Sequence, residues 1–507
     1  MGGGMDIYGS LQTLVRGFLS KMIPFKDIAQ AEKIEASLSK EMQDALQTWQ
    51  AIYMDKASWL DRNTKSMNLG AFIASEVARQ VLLEAKVNIT GTVTEDGEPT
   101  ENPRSQFLAQ ELGKFLSGPI RAKLEQGLAA GGMVIKPYPR NGHIYFDCVM
   151  NWDIIPIAFD DDGEFSDVIF PEFYQIKDKY YTRLERHTVD GDNVIIKQKV
   201  YESSARNYLG TQVPIDTVPI WAGTPEEAMV RDAGGQLFGY FRVATANNVD
   251  VTSPLGASVY AKAVNLIEQA DKQFSRLIWE YKGSELAIHV DPNALKPTTA
   301  KGKDGKVYDK LPELDERLYR RINIEKAPGE ELLDVFAPTI RDQSLINGLN
   351  QILIRVEDEA GLSRGTLSDA NTEPRTATEL NIVRQRSYAT IADNQTALEH
   401  CLKAVIRAAD VYATAYNMAP RGEYDVSCEW DDSIITDTAQ QTTERMMLYN
   451  AGIVGKAEVR EFYFGETPAQ AQAALQQIRE EKLADDMARA ATLPQLPPDT
   501  VNGPREE

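Results

Sequence analysis

The stretch from Ala337 to Tyr416 constrains this chain most, because two helical periodicities flank residues that do not continue a helix. Leu345, Leu349, Ile352 and Val356 recur at three- and four-residue spacing and line one face of a first helix. The segment Gly361 to Pro374 reads GLSRGTLSDANTEP, with two glycines, a proline and several short polar residues. Such a composition forms a loop. A much longer helix opens at Arg375 to Glu379 and keeps an apolar seam through Leu380, Val383, Ile391, Leu398, Leu402, Val405 and Ala409. Two rigid helices pinching a mobile loop predict a part that moves against something.

At 507 residues the chain has room for about two to four ordinary domains and a large core. Its 75 acidic against 54 basic residues leave a net charge of −21. That balance argues against an ordinary duplex-binding protein, whose grip scales with the phosphates its Lys and Arg neutralise. Acidity also keeps a large protein soluble. Cys148, Cys401 and Cys428 are an odd, scattered set with no metal-like spacing, which suits a reducing compartment. The N-terminal MGGGMD lacks the basic start and apolar core of a secretory leader, and Ile7 to Met22 reads as an amphipathic helix that packs on protein. No run approaches the roughly twenty apolar residues of a membrane span, so a soluble protein with no membrane partner is expected.

Along the chain, Gln30 to Tyr53, Asn68 to Lys86 and Pro103 to Leu128 carry helical periodicity, with a short strand from Val87 to Val93 between them. From Gly131 to about Ile220 the period changes to that of strands, with Asp190-Gly191-Asp192 as a hairpin signal. Ser253 followed by Pro254 reads as a helix N-cap, predicting a helix from Gly256 to Tyr281. An insertion with strands at Leu286 to Val290 and Arg320 to Ile324 separates it from the helix ending at Ala360, and Thr298 to Lys310 reads there as a basic turn region. Tyr424 to Trp430 is a strand expected to return to the β-rich part. Helices follow at Asp437 to Asn450, Lys456 to Phe464 and from Thr467-Pro468 to about Ala491, before a Pro-rich tail.

Chemistry of the enzymatic kind is poorly supplied. His143, His187, His289 and His400 are not spaced as metal ligands or as part of a triad. No phosphate loop of the G-x-x-x-x-G-K-[ST] type occurs, so no ATPase motor is encoded here and no cofactor or metal is expected. The acidic run Phe159 to Glu164 reads as a hairpin turn rather than a calcium loop. Phe170, Phe173, Tyr174, Tyr180 and Tyr181 read as sheet packing rather than a base-stacking platform. Asp431 and Asp432 could hold a divalent ion, which leaves a carboxylate-dependent DNA-processing enzyme as one alternative.

Gly361-Leu-Ser-Arg-Gly-Thr-Leu-Ser368 with Thr376-Ala-Thr-Glu-Leu380, and Val251-Thr-Ser-Pro-Leu-Gly256 leading into a helix, resemble the signatures of tailed-bacteriophage portal proteins, from about Phe170 onward. Arg364 departs from that pattern, standing where relatives often carry Pro. The resemblance implies an α+β portal fold: a wing over 1–255, β-rich at about 131–220; stem helices at 256–282 and 338–360 around a clip at 283–337; a tunnel loop at 361–374; a long wing helix and return strand at 375–435; a helical crown at 436–491; and a tail. It implies a non-enzymatic subunit of a homododecameric ring at the portal vertex of the virion, assembled in the host cytoplasm. Double-stranded DNA would pass through its channel. Terminase, head-completion or adaptor proteins, and capsid or scaffolding protein would be its partners. Gly361, Arg364, Gly365, Asp369, Glu373 and Arg375 would face the channel, and Lys301, Lys303, Lys306 and Lys310 of the clip would meet acidic partners. Another ring-forming virion adaptor is the remaining alternative.

Overall fold

The computed structural model describes residues 25–35, 37–83, 85–91, 102–284, 287–290, 298–301, 307–310, 319–321, 333–336, 339–369, 377–430, 445–464 and 468–492. Within 25–26, 287–336, 377–386 and 485–492, and at 469, it describes backbone alone. The N-terminal 24 residues, with the helix read at Ile7 to Met22, lie outside it.

Helices α1 (Phe25–Glu32) and α2 (Lys40–Tyr53) replace the single helix read across Gln30 to Tyr53. Lys33 adopts a left-handed conformation (φ 52°), and Ser39 caps α2 by accepting from the Met42 amide. Helix α3 (Leu69–Val81) leads to strand β1 (Lys86–Gly91). The expected Pro103 to Leu128 helix is likewise two, α4 (Pro103–Leu116) and α5 (Ile120–Ala130). Pro119 cannot donate to the preceding turn, so a new helix starts there. Helix α5 stops at Gly131 (φ 82°), where an added Cβ would lie 2.3 Å from the Gly256 carbonyl oxygen. Only glycine admits that approach.

The β-rich part forms two sheets rather than one. β2 (Gly132–Arg140), β3 (His143–Met150) and β10 (Gly239–Arg242) make one, in the order β10-β2-β3. β4 (Ile155–Phe159), β5 (Phe165–Ile176), β6 (Lys179–Asp190), β7 (Asn193–Ser203) and β8 (Thr211–Val213) run side by side in the other, with β9 (Glu227–Val230) also on β7. The β6–β7 hairpin closes at Asp190 opposite Asn193, with Gly191 at φ 60°. The acidic run is the β4–β5 turn, where Asp160 Oδ1 accepts from the Asp162 and Glu164 amides. Phe170 and Tyr181 are buried, and Phe170 meets Phe238 and His187 edge to face, so these aromatics pack the sheet. A buried polar bridge joins the sheets: Glu185 of β6 accepts from Lys136 of β2 (2.6 Å) and from His187 Nε2 (2.7 Å).

Helix α6 spans Val264–Gly283, eight residues later than expected at its start. Ser253 Oγ accepts from Leu255 N in a local turn instead of capping a helix. Gly256 N donates to the Tyr240 hydroxyl and Val259 N to the Leu128 carbonyl, so this stretch is spent tying the start of α6 to β10 and α5. Helix α7 (Asp342–Ala360) runs antiparallel to α6: Glu280 meets Arg341 and Gln273 meets Leu345. The insertion between them holds β11 (Ala287–Val290), β12 (Thr298–Lys301), β13 (Val307–Lys310), β14 (Tyr319–Arg321) and β15 (Leu333–Phe336). These pair as β14-β11-β15 and as a β12–β13 hairpin, so the expected basic turn region is a hairpin.

Helix α8 covers Ala377–Ala415 and buries Leu398, Cys401, Leu402, Val405, Ile406 and Ala409 in the main core, which also takes in Trp49, Ile73, Met133 and Phe241. Strand β16 (Tyr424–Glu429) pairs antiparallel with β1, Lys86 opposite Glu429, and not with the β-rich sheets. Contacts before the strand support this. Arg104 donates to the Pro420 carbonyl and Asn102 to that of Glu423, which delivers the chain beside β1.

Residues 431–507 form a second compact unit. A helical turn at 445–450 stops at Gly452 (φ 70°), followed by α9 (Lys456–Phe464) and α10 (Pro468–Thr492). Arg445 stacks over the Phe462 ring at 4.2 Å. The expected cap at Thr467, the helix start at Asp437, the Asp431-Asp432 pair and the tail lie outside the described residues.

Candidate functional site: the loop after helix α7

Two antiparallel helices position the loop that follows α7. At their far end, Arg341 forks onto Glu280, with Nε to Oε1 at 3.1 Å and Nη2 to Oε2 at 2.9 Å. That hydrogen bonding holds the Glu280 carboxyl below its usual range. At the near end α7 stops at Gly361, whose φ of 68° places it in the left-handed C-cap conformation, while Leu362 N donates to the Glu357 carbonyl. A Cβ on Gly361 would lie 2.3 Å from Thr390 Oγ1, so its bare Cα lets the end of α7 touch α8.

The loop is held from inside. Glu357 is 0 % exposed, yet its carboxylate is fully engaged. Oε1 accepts from the amides of Gly365 (3.1 Å), Leu367 (2.6 Å) and Ser368 (2.9 Å), and Oε2 from Ser368 Oγ (2.8 Å). Four donors satisfy a charge that would otherwise be costly to bury. Leu362 is buried beneath the turn, and Asp369 N donates to Asn350 Oδ1 at 2.8 Å. Residues 361–369 are therefore a built cap on α7.

The sequence-derived candidates divide accordingly. Gly361 and Gly365 shape the cap. Arg364 is half exposed and forks onto Asp358, Nε to Oδ1 at 3.2 Å and Nη2 to Oδ2 at 2.9 Å. Asp369 is exposed, and Glu373 and Arg375 lie outside the described residues. Lys301 and Lys310 lie on β12 and β13, with Lys310 opposite Thr298 and Lys301 opposite Val307, whereas Lys303 and Lys306 lie outside. Sequence reasoning missed Glu357, Asp358, Asn350 and Thr390. One signal was available: three acids (Glu357, Asp358 and Glu359) in the last turn of a helix oppose its dipole, so they need another reason to be there.

The family model described as phage portal protein, SPP1 Gp6-like, matches residues 120–486. This chain belongs to that portal protein family. The match runs unbroken from α5 through both sheets, the α6–insertion–α7 unit, the Glu357-held loop, α8 and most of α10, and begins well before Phe170. No curated protein matches the chain. Portal membership gives the protein a structural role in a phage portal, as a component of the virion. Among the described residues, no group of three or more His, Cys, Asp or Glu is placed to hold a metal ion, and no helix is long and apolar enough to cross a membrane.

Proposed function

We propose that the protein is the subunit of a portal ring, a dodecamer on family resemblance, whose central channel passes double-stranded DNA during packaging and ejection. The observation that carries this reading is a single family match spanning the order helix, insertion, helix, loop, long helix. On this reading 1–255 is the wing, α6 and α7 are the stem, and the insertion between them is the clip. Residues 361–374 are the tunnel loop, α8 with β16 completes the wing, and 436–491 is the crown. The clip, with Lys301 and Lys310 on a hairpin, would face the terminase motor and later the head-completion proteins. Capsid or scaffolding protein would hold the wing.

A conduit must touch DNA without gripping it. Arg364, already paired with Asp358, presents a partly neutralised charge, and exposed Asp369 offsets it further. Contacts of this kind stay weak, because surface pairs in water are worth about 1 kcal/mol or less. Electron microscopy of the purified protein, viewed down the ring axis, tests the reading. A symmetric ring is expected, with a hole wider than the roughly 12 Å major groove since the whole duplex must pass. A closed oligomer without a channel overturns it.

A further inference from the structure

We infer that the basic groove between α6 and the 61–65 loop is the contact through which one copy of this chain receives an acid-rich surface of the next. The groove, about 520 Å³, is lined by Arg62, Lys65, Lys272, Arg276, Trp279 and Lys282, and among the described residues no acid lines it. Lys272, Arg276 and Trp279 fall at i, i+4 and i+7 on one face of α6, and Lys282 extends the stripe. Lys272 is paired with Glu268 (2.5 Å) and Lys65 lies near the charge of Asp61. Among the described residues, Arg62, Arg276 and Lys282 are exposed and in no ion pair.

The groove is preformed. Asp271 accepts from Trp59 Nε1 (2.9 Å) and Met67 N (2.8 Å), and Ser275 Oγ accepts from Lys65 N (2.7 Å). These bonds fix both ends of the loop to the helix, so a partner meets cations already in place.

Three observations favour a second copy as occupant. The chain carries a net charge of −21, with exposed acids such as Asp160, Asp161 and Asp162 at one hairpin tip, so its own surface complements the groove. Trp279 is 69 % exposed, with Tyr281 and Ile340 also exposed at the same end of the helix pair. Exposed Trp and Tyr beside Arg are the composition of a protein interface core, whereas phosphate contact needs only cations. Finally, a basic groove repels its own image, which disfavours a two-fold contact and suits the head-to-tail contact of a ring. The inference rests on the ring reading.

The test compares the full-length protein with Arg62→Glu/Arg276→Glu/Lys282→Glu and, separately, Trp279→Ala. Mass photometry across a concentration series reads assembly, and circular dichroism reads folding. Both variants are expected to stay folded and to need about tenfold or more protein for half-assembly. Wild-type assembly should weaken with added salt. Folded variants that assemble at wild-type concentrations overturn the inference and leave the ring reading standing. Variants that assemble normally but lose binding to a duplex oligonucleotide overturn it in favour of a phosphate contact. A wild type that stays monomeric at every concentration overturns both.

Discussion

Replacing Glu357 should release the loop after α7, and the structure sets the size of the effect. In Glu357→Ala the amides of Gly365, Leu367 and Ser368 lose their shared acceptor. Gly365 is exposed and can turn to water, but Ser368 is buried and Leu367 half-buried. Two amides left without a partner cost about 1–3 kcal/mol each, so the cap loses about 3–4 kcal/mol of local stability. Glu357→Gln differs in kind. Its amide oxygen can keep the three amides, and its NH2 can donate to Ser368 Oγ in place of accepting from it. Only the charge assistance goes, about 1–2 kcal/mol. Amide hydrogen exchange reads this directly: Leu367 and Ser368 should exchange roughly 100- to 1000-fold faster in the Ala variant and about tenfold faster in the Gln variant. Thermal denaturation separates this local loss from a general one. Unchanged exchange in Glu357→Ala, or equal acceleration in both variants, refutes the assignment of the carboxylate as the loop's anchor.

Gly361→Ala forces a side chain into a left-handed residue and against Thr390, and should lower stability by about 2–4 kcal/mol. Thr390→Ala should recover part of that loss in the double variant, read from denaturant midpoints; no recovery counts against the close approach. Acidification should destabilise the protein through His187, which burial holds below its usual pKa despite Glu185 beside it. Below about pH 6.5 the unfolded chain binds a proton that the folded imidazole refuses, costing up to about 1.4 kcal/mol per pH unit. Burial alone would raise the Glu185 pKa, but Lys136, His187 and Arg183 together hold it well below normal, so its contribution is lost only at still lower pH. His187→Gln should flatten the fall in melting temperature between pH 7 and 5, and an unchanged slope would point to another titrating group.

The sequence by itself determined what depends on neighbours a few residues away. Three- and four-residue apolar spacing marked α7 and α8, Asp190-Gly191-Asp192 marked the β6–β7 turn, and Gly361 marked the end of α7. The residues of 361–368 and 376–380 also carried the portal resemblance, because they are read in order along the chain. Tertiary structure decided the pairings that turn on distant partners. Alternation in β16 fits any strand edge, and distant partners such as Arg104 and Asn102, more than 300 residues earlier, help hold it beside β1. Ser253 and Pro254 satisfy the local rule for a helix start, but the Tyr240 hydroxyl and Leu128 carbonyl claim the following amides and delay α6. Lys136 and Glu185, on strands of different sheets, meet only once both sheets are folded. Glu357 shows the same division within eleven residues. Its helix was legible, but its burial was not, because a carboxylate chooses the interior only when a folded loop brings it four donors.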